Sequence, residues 1–168
     1  MLSKKKIFTK LWGILTGLIV IGIIIYLGLL CQTSQSISAD VKSIDSIRWI
    51  EFPDRIRIVF TLEVNNTGVI DVVIEKLYYR VYIENEYLGE GTKENILIKR
   101  GRNLIEVSFD TSVKHLSTGL LRILMQGGRF NVKIEGYIIV PIKSFGVLRL
   151  WSAEVPFTHS FEVSIVKS

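Results

Sequence analysis

The sequence predicts a mainly β protein, an antiparallel β-sandwich of about seven strands with one helix, preceded by a single N-terminal transmembrane helix. Three observations lead to this fold class. Residues 11–30 form an uncharged apolar run, apolar and polar residues alternate through most of the chain after it, and residues 111–126 alone have helical spacing. The predicted organisation is a cytoplasmic basic tail (1–10), a transmembrane helix (11–30), a polar stalk (31–40) and an extracytoplasmic sandwich domain (41–168).

The N-terminal run is long enough to cross a membrane. Leu11 to Leu30 comprises twenty apolar residues, which make a helix about 30 Å long, the thickness of the hydrocarbon core of a bilayer. Four lysines, Lys4, Lys5, Lys6 and Lys10, stand just before it. The positive-inside rule keeps such a cluster in the cytoplasm. The expected localisation is therefore the cell membrane, crossed once, with the C-terminal domain outside.

Three other interpretations of this segment fit its sequence less well. A cleaved signal peptide has a shorter apolar region and a small residue at its cleavage site, whereas this run ends in Leu29-Leu30-Cys31. A lipid-modified Cys31 would need a small residue in place of Leu30. A pilin leader would need a basic-glycine cleavage site ahead of the run. An uncleaved anchor is the expectation, and cleavage or lipidation at Cys31 stays open.

Charge placement argues against a nucleic-acid partner. The chain of 168 residues has 21 Lys and Arg, 16 Asp and Glu, and a pI near 9.4. All 16 acidic residues but only 17 of the basic ones lie beyond the apolar run, so the outer part carries +1. The net positive charge therefore comes mainly from the lysines before the apolar run, where it indicates membrane topology and not a phosphate-binding surface. Cys31 is the only cysteine, so the outer domain has no disulfide and depends on its core.

Alternation with a period of two identifies the strands. Apolar residues share one parity within residues 55–64, 77–84, 105–110, 130–140 and 157–165. Asn, Gly and Arg-Gly clusters separate these runs and predict turns.

The helical segment, Thr111–Gln126, is the exception to this alternation. Asp110, Thr111 or Ser112 is expected to cap its start and Gly127 its end. Its apolar stripe comprises Val113, Leu116, Leu120, Ile123 and Leu124. The helix is expected to plug one opening of the sandwich.

Residues that could carry catalysis are few. His115 falls early in the predicted helix, and His159 shares the parity of Phe157 and Phe161, which favours a buried core residue over a ligand. No nucleophile motif, phosphate-binding glycine loop or metal-ligand spacing is present. The sequence therefore predicts no catalytic residue, metal or cofactor, and no enzyme.

Two further features leave their meaning open. Four tyrosines crowd one predicted hairpin, where they could stack on bases or sugars or simply pack: Tyr78, Tyr79, Tyr82 and Tyr87. Asn65-Asn66-Thr67 is a sequon on the outer side of the membrane. Asn65 could be glycosylated there, or the two asparagines could cap the backbone of their own turn.

Short motifs resemble those of the late embryogenesis abundant type-2 family, which carries the water-stress and hypersensitive-response (WHy) domain. The resemblance covers roughly Ile44 to Ile165 and lies in three stretches, Leu62–Gly68, Ile74–Tyr79 and Asn85–Gly91. Asn65 matches the first residue of the family's Asn-Pro-Asn turn, with Asn66 in place of the proline. Gly89 and Gly91 match its glycine-x-glycine step.

This resemblance implies a compact antiparallel β-sandwich with one helix and no catalytic residues. Family members are associated with desiccation and other stress, and many plant relatives are anchored by one N-terminal helix. Some related domains have been proposed to hold lipid in a groove between sheet and helix. In this chain Leu116, Leu120 and Leu124 would line such a groove, unless they complete the core.

Three functions from different classes follow. The first is a non-enzymatic, membrane-anchored, stress-protective or binding domain on the outer face of a prokaryotic, by expectation archaeal, cell. The second is a structural subunit of a surface filament or membrane assembly. The third is a lipid-binding module. The sequence leaves open the lipid or protein partner and the oligomeric state.

Overall fold

Two antiparallel sheets pack against each other in the computed structural model, which describes residues 12–26, 28, 36–144 and 148–164. The strands are β1 (Ile37–Glu51), β2 (Arg55–Asn66), β3 (Val72–Ile83), β4 (Glu86–Ile98), β5 (Gly101–Ser112), β6 (Arg129–Ser144) and β7 (Leu148–Ser164). One helix, α1 (Thr118–Gln126), lies between β5 and β6. The sheet orders are β1-β2-β5 and β4-β3-β6-β7. The predicted seven-stranded β-sandwich with a helix before its last two strands is confirmed.

Residues 12–26 are helical, and most of their apolar side chains are exposed. Within the described part of the chain, no helix combines the length and apolar character needed to traverse a bilayer. The predicted topology and anchor residues Lys4, Lys5, Lys6, Lys10, Leu11 and Leu30, and Cys31 with them, lie outside the described residues.

Alternating burial produces the core. In β2 every second side chain from Ile56 to Val64 is fully buried, while the residues between them are partly exposed. β3, β5 and β6 contribute their apolar parity in the same way, from Leu77 to Ile83, Ile105 to Phe109 and Phe130 to Val140. The strand faces predicted for these four strands are therefore confirmed. Their side chains form one hydrophobic cluster between the sheets.

Side-chain hydrogen bonds link the two sheets along both edges. Where β5 meets β4, the Thr111 hydroxyl donates to the Leu88 carbonyl oxygen at 3.0 Å, and Lys93 Nζ donates to the Glu106 carbonyl oxygen at 3.1 Å. Where β7 meets β1, His159 Nδ1 lies 3.3 Å from Asp40 Oδ1. The four edge strands therefore adjoin one another in pairs.

The helix begins later than the sequence predicts. Thr111 and Ser112 remain in β5, paired with Ile56 and Arg55, and Val113 N–H donates to the Asp54 carbonyl oxygen at 3.0 Å. This cross-strand pairing removes the expected caps, and Ser117 caps α1 instead, its hydroxyl accepting from the Leu120 N–H. The predicted C-terminal cap is correct, because Gly127 adopts the left-handed conformation.

The domain also begins earlier than predicted. β1 starts at Ile37, so residues 37–40 belong to the sheet and not to the stalk. The Ile37 side chain is buried in the core, and Ser38 to Asp40 pair with β2. Burial of the Ile37 side chain stabilises this pairing, so residues 37–40 form part of β1 and not of the polar stalk.

The sandwich has two distinct ends. At one end, here called the tether end, lie Ile37, the β2–β3 connection (67–71) and the β4–β5 turn. The Ser36 carbonyl oxygen accepts hydrogen bonds there from the Thr67 N–H and the Thr67 hydroxyl, at 2.9 and 3.0 Å. At the other end, the helix end, lie the β1–β2 turn, the β3–β4 turn and α1. The chain from the N-terminal segment thus enters the domain at the tether end.

Candidate binding face

Four tyrosines lie on the outer face of the four-stranded sheet. Tyr78 and Tyr82 have the outward parity of β3, Tyr137 of β6 lies opposite Tyr78, and Tyr87 of β4 lies opposite Tyr82. Tyr87 is 46% exposed, and the other three are partly exposed. The tyrosine face comprises these four residues with the charged Arg80, Glu90, Lys133 and Glu135.

The rings and cations of this face are in contact. Tyr78 and Tyr137 have ring centroids 5.2 Å apart with planes inclined at 36°, and Tyr82 and Tyr87 meet edge to face at 5.8 Å. The Arg80 guanidinium lies 5.3 Å above the Tyr78 ring. Lys133 Nζ lies 5.5 Å above the Tyr82 ring. Each pair of contacts holds its aromatic rings in a defined orientation.

Hydrogen bonds fix the phenol groups as well. The Tyr78 hydroxyl donates to Glu90 Oε2 at 2.5 Å and accepts from Arg80 Nε at 2.7 Å. The bond between Tyr78 and Glu90 raises the pKa of Tyr78 and lowers the pKa of Glu90, since Glu90 accepts best as the carboxylate and Tyr78 donates only as the phenol.

The second half of the face repeats this pattern. Tyr82 donates to Glu135 Oε1 at 3.0 Å, and Lys133 Nζ lies 2.6 Å from Glu135 Oε2. The lysine bond, followed by the tyrosine bond, lowers the pKa of Glu135. Both carboxylates of the face therefore stay charged at neutral pH.

An open groove of about 410 Å³ crosses the face between β3, β6 and β7. Its apolar wall includes Tyr78, Tyr137 and Pro156, and its polar rim includes Arg80, Glu135 and Thr158. Gly136 lies at its floor, where a Cβ would come within 2.8 Å of Phe157 Cζ. Flat rings bordered by fixed hydrogen-bonding groups can hold a polar ligand with planar or ring-shaped units by stacking.

The glycine motif has a structural role. A Cβ at Gly89, whose φ is +154°, would come within 2.7 Å of Phe109 Cζ. A Cβ at Gly91 would come within 2.5 Å of Tyr79 Cζ. Both glycines therefore make room for aromatic rings of the core, where Tyr79 contacts Phe109 edge to face at 5.9 Å.

The asparagines of the sequon have different surroundings. Asn66 is fully buried, and its side chain donates to the Ile70 carbonyl oxygen at 2.8 Å and accepts from the Gly68 N–H at 3.0 Å. It therefore organises the β2–β3 connection. Asn65 is a paired residue of β2, not a turn residue, and lines a second surface depression of about 380 Å³ beside Asp40 and His159. Glycosylation of Asn65 stays a prediction.

The leucines of the proposed lipid groove lie in the core. Leu116, Leu120 and Leu124 are 5%, 3% and 1% exposed and belong to the hydrophobic cluster. Two of them lie on α1, and Leu116 lies in the turn before it. Their positions match the interpretation in which the stripe completes the core, and the groove itself stays a prediction.

Both histidines are exposed. His159 keeps the parity of Phe157 and Phe161 and stacks on Phe161 at 4.4 Å, but it is not buried, because the edge strand β7 meets β1 there and the ring faces Asp40. His115 lies in the turn before α1, with Nε2 at 3.0 Å from the Tyr87 carbonyl oxygen. Within residues 12–26, 28, 36–144 and 148–164, no cluster of three or more His, Cys, Asp or Glu residues could hold a metal ion.

The sequence predicts only part of the tyrosine face. Of the four clustered tyrosines, Tyr78, Tyr82 and Tyr87 lie on it, whereas Tyr79 is 4% exposed and lies in the core. Strand parity separates Tyr79 from the others. Tyr137, Lys133 and Glu135 join the face through the β3–β6 register, in which Tyr78 pairs with Tyr137 and Tyr82 with Lys133.

Comparison with known proteins supports the fold. The chain matches no protein-family model and no curated protein. It is similar to the solution structure of At2g46140.1, assigned provisionally to the late embryogenesis abundant (LEA) proteins. That match has a TM-score of 0.59 and 11% identity, and covers 89% of this chain and 88% of that one.

A second solved structure is that of AT1g01470 from Arabidopsis thaliana. It has a TM-score of 0.52 and 9% identity, and the match covers 76% of this chain and 78% of that one. At such identities the likeness shows the fold alone. The LEA-like sandwich implied by the sequence resemblance is confirmed at that level.

Proposed function

We propose that this protein is a non-enzymatic binding domain, anchored by residues 11–30 to the outer face of a cell membrane, that acts in stress protection. The tyrosine face is the observation that carries the binding function. Four tyrosines share one sheet surface with four charged residues and an open groove. The LEA-like fold and the sequence motifs support the stress-related role.

The ligand class that suits this face is a carbohydrate. Sugar rings stack on tyrosine rings, and their hydroxyl groups can exchange hydrogen bonds with Arg80, Glu90 and Glu135. A phosphate polymer fits less well, because the outer part of the chain carries only +1 and the face pairs its two cations with two carboxylates.

Anchoring is tested by topology. An epitope after Ser168 should be digested by protease added to intact cells, and an epitope before Met1 should be spared. Neutral substitution of Lys4, Lys5, Lys6 and Lys10 should weaken this orientation, because their charge asymmetry is its expected cause. Protection of the C-terminal epitope would contradict the proposed orientation.

Binding is tested with the detergent-solubilised full chain on a panel of immobilised oligosaccharides. Tyr78→Ala and Tyr137→Ala should each weaken binding of any retained sugar by about 5-fold or more, since loss of one stacked aromatic ring costs about 1–3 kcal/mol. Phe52→Ala is the matched control, because Phe52 is an aromatic residue that is 66% exposed at the helix end. If no immobilised sugar retains the protein, or if all three variants lose binding affinity equally, the carbohydrate assignment is wrong.

A further inference from the structure

Large apolar side chains are exposed mainly at the tether end of the sandwich. Among the side chains that the structure describes outside residues 12–26 and the tyrosine face, eight large apolar ones are exposed, and six of them lie at the tether end: Val69, Ile70, Val73, Leu97, Leu104 and Trp151. The other two, Ile50 and Phe52, lie at the helix end. The distribution is therefore uneven along the long axis of the domain.

Strand register places these side chains at one end. Val73 and Leu97 are direct partners near the start of β3 and the end of β4. Val69 and Ile70 belong to the β2–β3 connection and are 69% and 48% exposed. Apolar side chains exposed together at one end of a domain are typical of a protein or membrane interaction site.

Basic side chains border the apolar ones. Lys99 and Arg100 are exposed in the β4–β5 turn. Two acidic residues of this region are already engaged: Asp71 accepts the Arg100 backbone N–H at 2.8 Å, and Glu63 binds Arg102 at 2.5 Å. Together these five residues carry a net positive charge, which favours an anionic surface.

The chain leading to the membrane enters at the same end. Ser36 is hydrogen-bonded to Thr67, two residues before Val69. Five residues lie between Leu30 and Ser36, and the six Cα–Cα steps from Leu30 to Ser36 span at most about 22 Å when fully extended. The headgroup layer of one leaflet is about 5–8 Å thick. Ser36 can therefore lie no more than about 17 Å beyond the headgroup layer, and any less extended conformation of the linker brings the tether end closer to the headgroups.

We infer that the tether end docks on the surface of the membrane in which the protein is anchored, with Val69 and Ile70 among the lipid headgroups and Lys99 and Arg100 on anionic lipid. This inference rests on the proposed anchor. Apolar side chains beside basic residues are the combination that binds an anionic lipid interface. Docking would fix the domain upright and turn the helix end away from the membrane.

The test uses the full chain in lipid vesicles. In a Cys31→Ser background, an environment-sensitive fluorophore is attached at Val69→Cys or, as a control of matched exposure, at Phe52→Cys. Vesicles of phosphatidylcholine, with or without phosphatidylglycerol, carry lipids spin-labelled near the headgroup. The label at 69 should lose most of its fluorescence in the anionic vesicles, and the label at 52 should lose little. Lys99→Glu with Arg100→Glu should restore much of the signal at 69.

Flotation of the vesicles separates this inference from the anchor on which it rests. If the protein floats with the vesicles but the labels at 69 and 52 are quenched equally, the docking inference is overturned and the anchor stands. Quenching at 69 that the double charge reversal leaves unchanged overturns the role of anionic lipid. If the protein does not float with the vesicles, both the proposed anchor and the docking inference are overturned.

Discussion

Tyr79 lies directly against Gly91, its partner across the β3–β4 ladder, and Gly136 is its partner on the β6 side. The ring is held in place by Phe60 at 5.3 Å and by Phe109 at 5.9 Å, both edge to face. Gly91 gives this buried ring its space, whereas a Cβ at Gly136 would instead meet the Tyr78 carbonyl oxygen and the Phe157 ring. The glycine-x-glycine motif is therefore part of the packing between the two sheets.

Gly91→Ala should destabilise the protein by about 1–3 kcal/mol, the usual cost of forcing extra volume into a packed core. The added Cβ would overlap a ring that Phe60 and Phe109 prevent from moving aside. Denaturant unfolding of the detergent-solubilised protein measures the change. Gly119→Ala is the control, since no atom lies within 4 Å of its Cβ position and alanine favours the helix by up to about 1 kcal/mol. Equal destabilisation by both would contradict the account of Gly91.

Phe60→Ala should cost about 3–5 kcal/mol by leaving a cavity between the sheets. Ser108→Ala, on the exposed side of β5, should change stability by no more than about 0.5 kcal/mol. Thermal melting of the two variants beside the wild type gives the comparison. Similar losses would mean that the faces of the strands are assigned wrongly.

Glu86 should make stability depend on pH. Its carboxylate accepts from the Ser117 hydroxyl at 2.5 Å and from the Ser117 N–H at 2.8 Å, which lowers its pKa below the ordinary 4.5. A carboxyl group whose pKa is lower in the folded state stabilises the fold above 4.5, and this contribution disappears as the pH falls through the folded-state pKa. Glu86→Gln should therefore lower the melting temperature at neutral pH and have little effect in acid.

The control for this pH effect is Glu94→Gln, a change at an exposed glutamate of the same strand. It should shift the melting temperature less than Glu86→Gln at neutral pH. If the difference between Glu86→Gln and the wild type were the same at neutral and acid pH, the Ser117 contact would not be its cause.

Leu120→Trp should destabilise the protein by about 1–3 kcal/mol, because Leu120 is 3% exposed and belongs to the core. Arg122→Trp, on the exposed side of α1, should leave the melting temperature nearly unchanged. A fluorescent fatty acid added to each protein tests the lipid-binding hypothesis. Wild-type binding that Leu120→Trp abolishes without loss of stability would instead favour a groove.

Local sequence patterns predicted the strands well because side-chain alternation is a property of each strand alone. The N-terminus of α1 was mispredicted for a non-local reason: Thr111 and Ser112 are held in β5 by their partners in β2, more than 50 residues earlier in the chain. The same limit applies to the tyrosine face. Tyr137 reaches Tyr78 through the β3–β6 register, which no short-range pattern encodes.

The chain enters the domain at Ile37, so a pull from the membrane would act on β1 first. If a ligand holds the tyrosine face while the membrane pulls on residue 36, the force runs lengthwise along β1, whose pairing with β2 extends from Ile37 to Glu51. Ladder hydrogen bonds lie perpendicular to the strands, so such a pull shears many of them together and does not open them one at a time. In single-molecule stretching, the unfolding force should therefore be higher when the chain is pulled from its N-terminal side than when β7 is peeled away from β6 starting at Ser164.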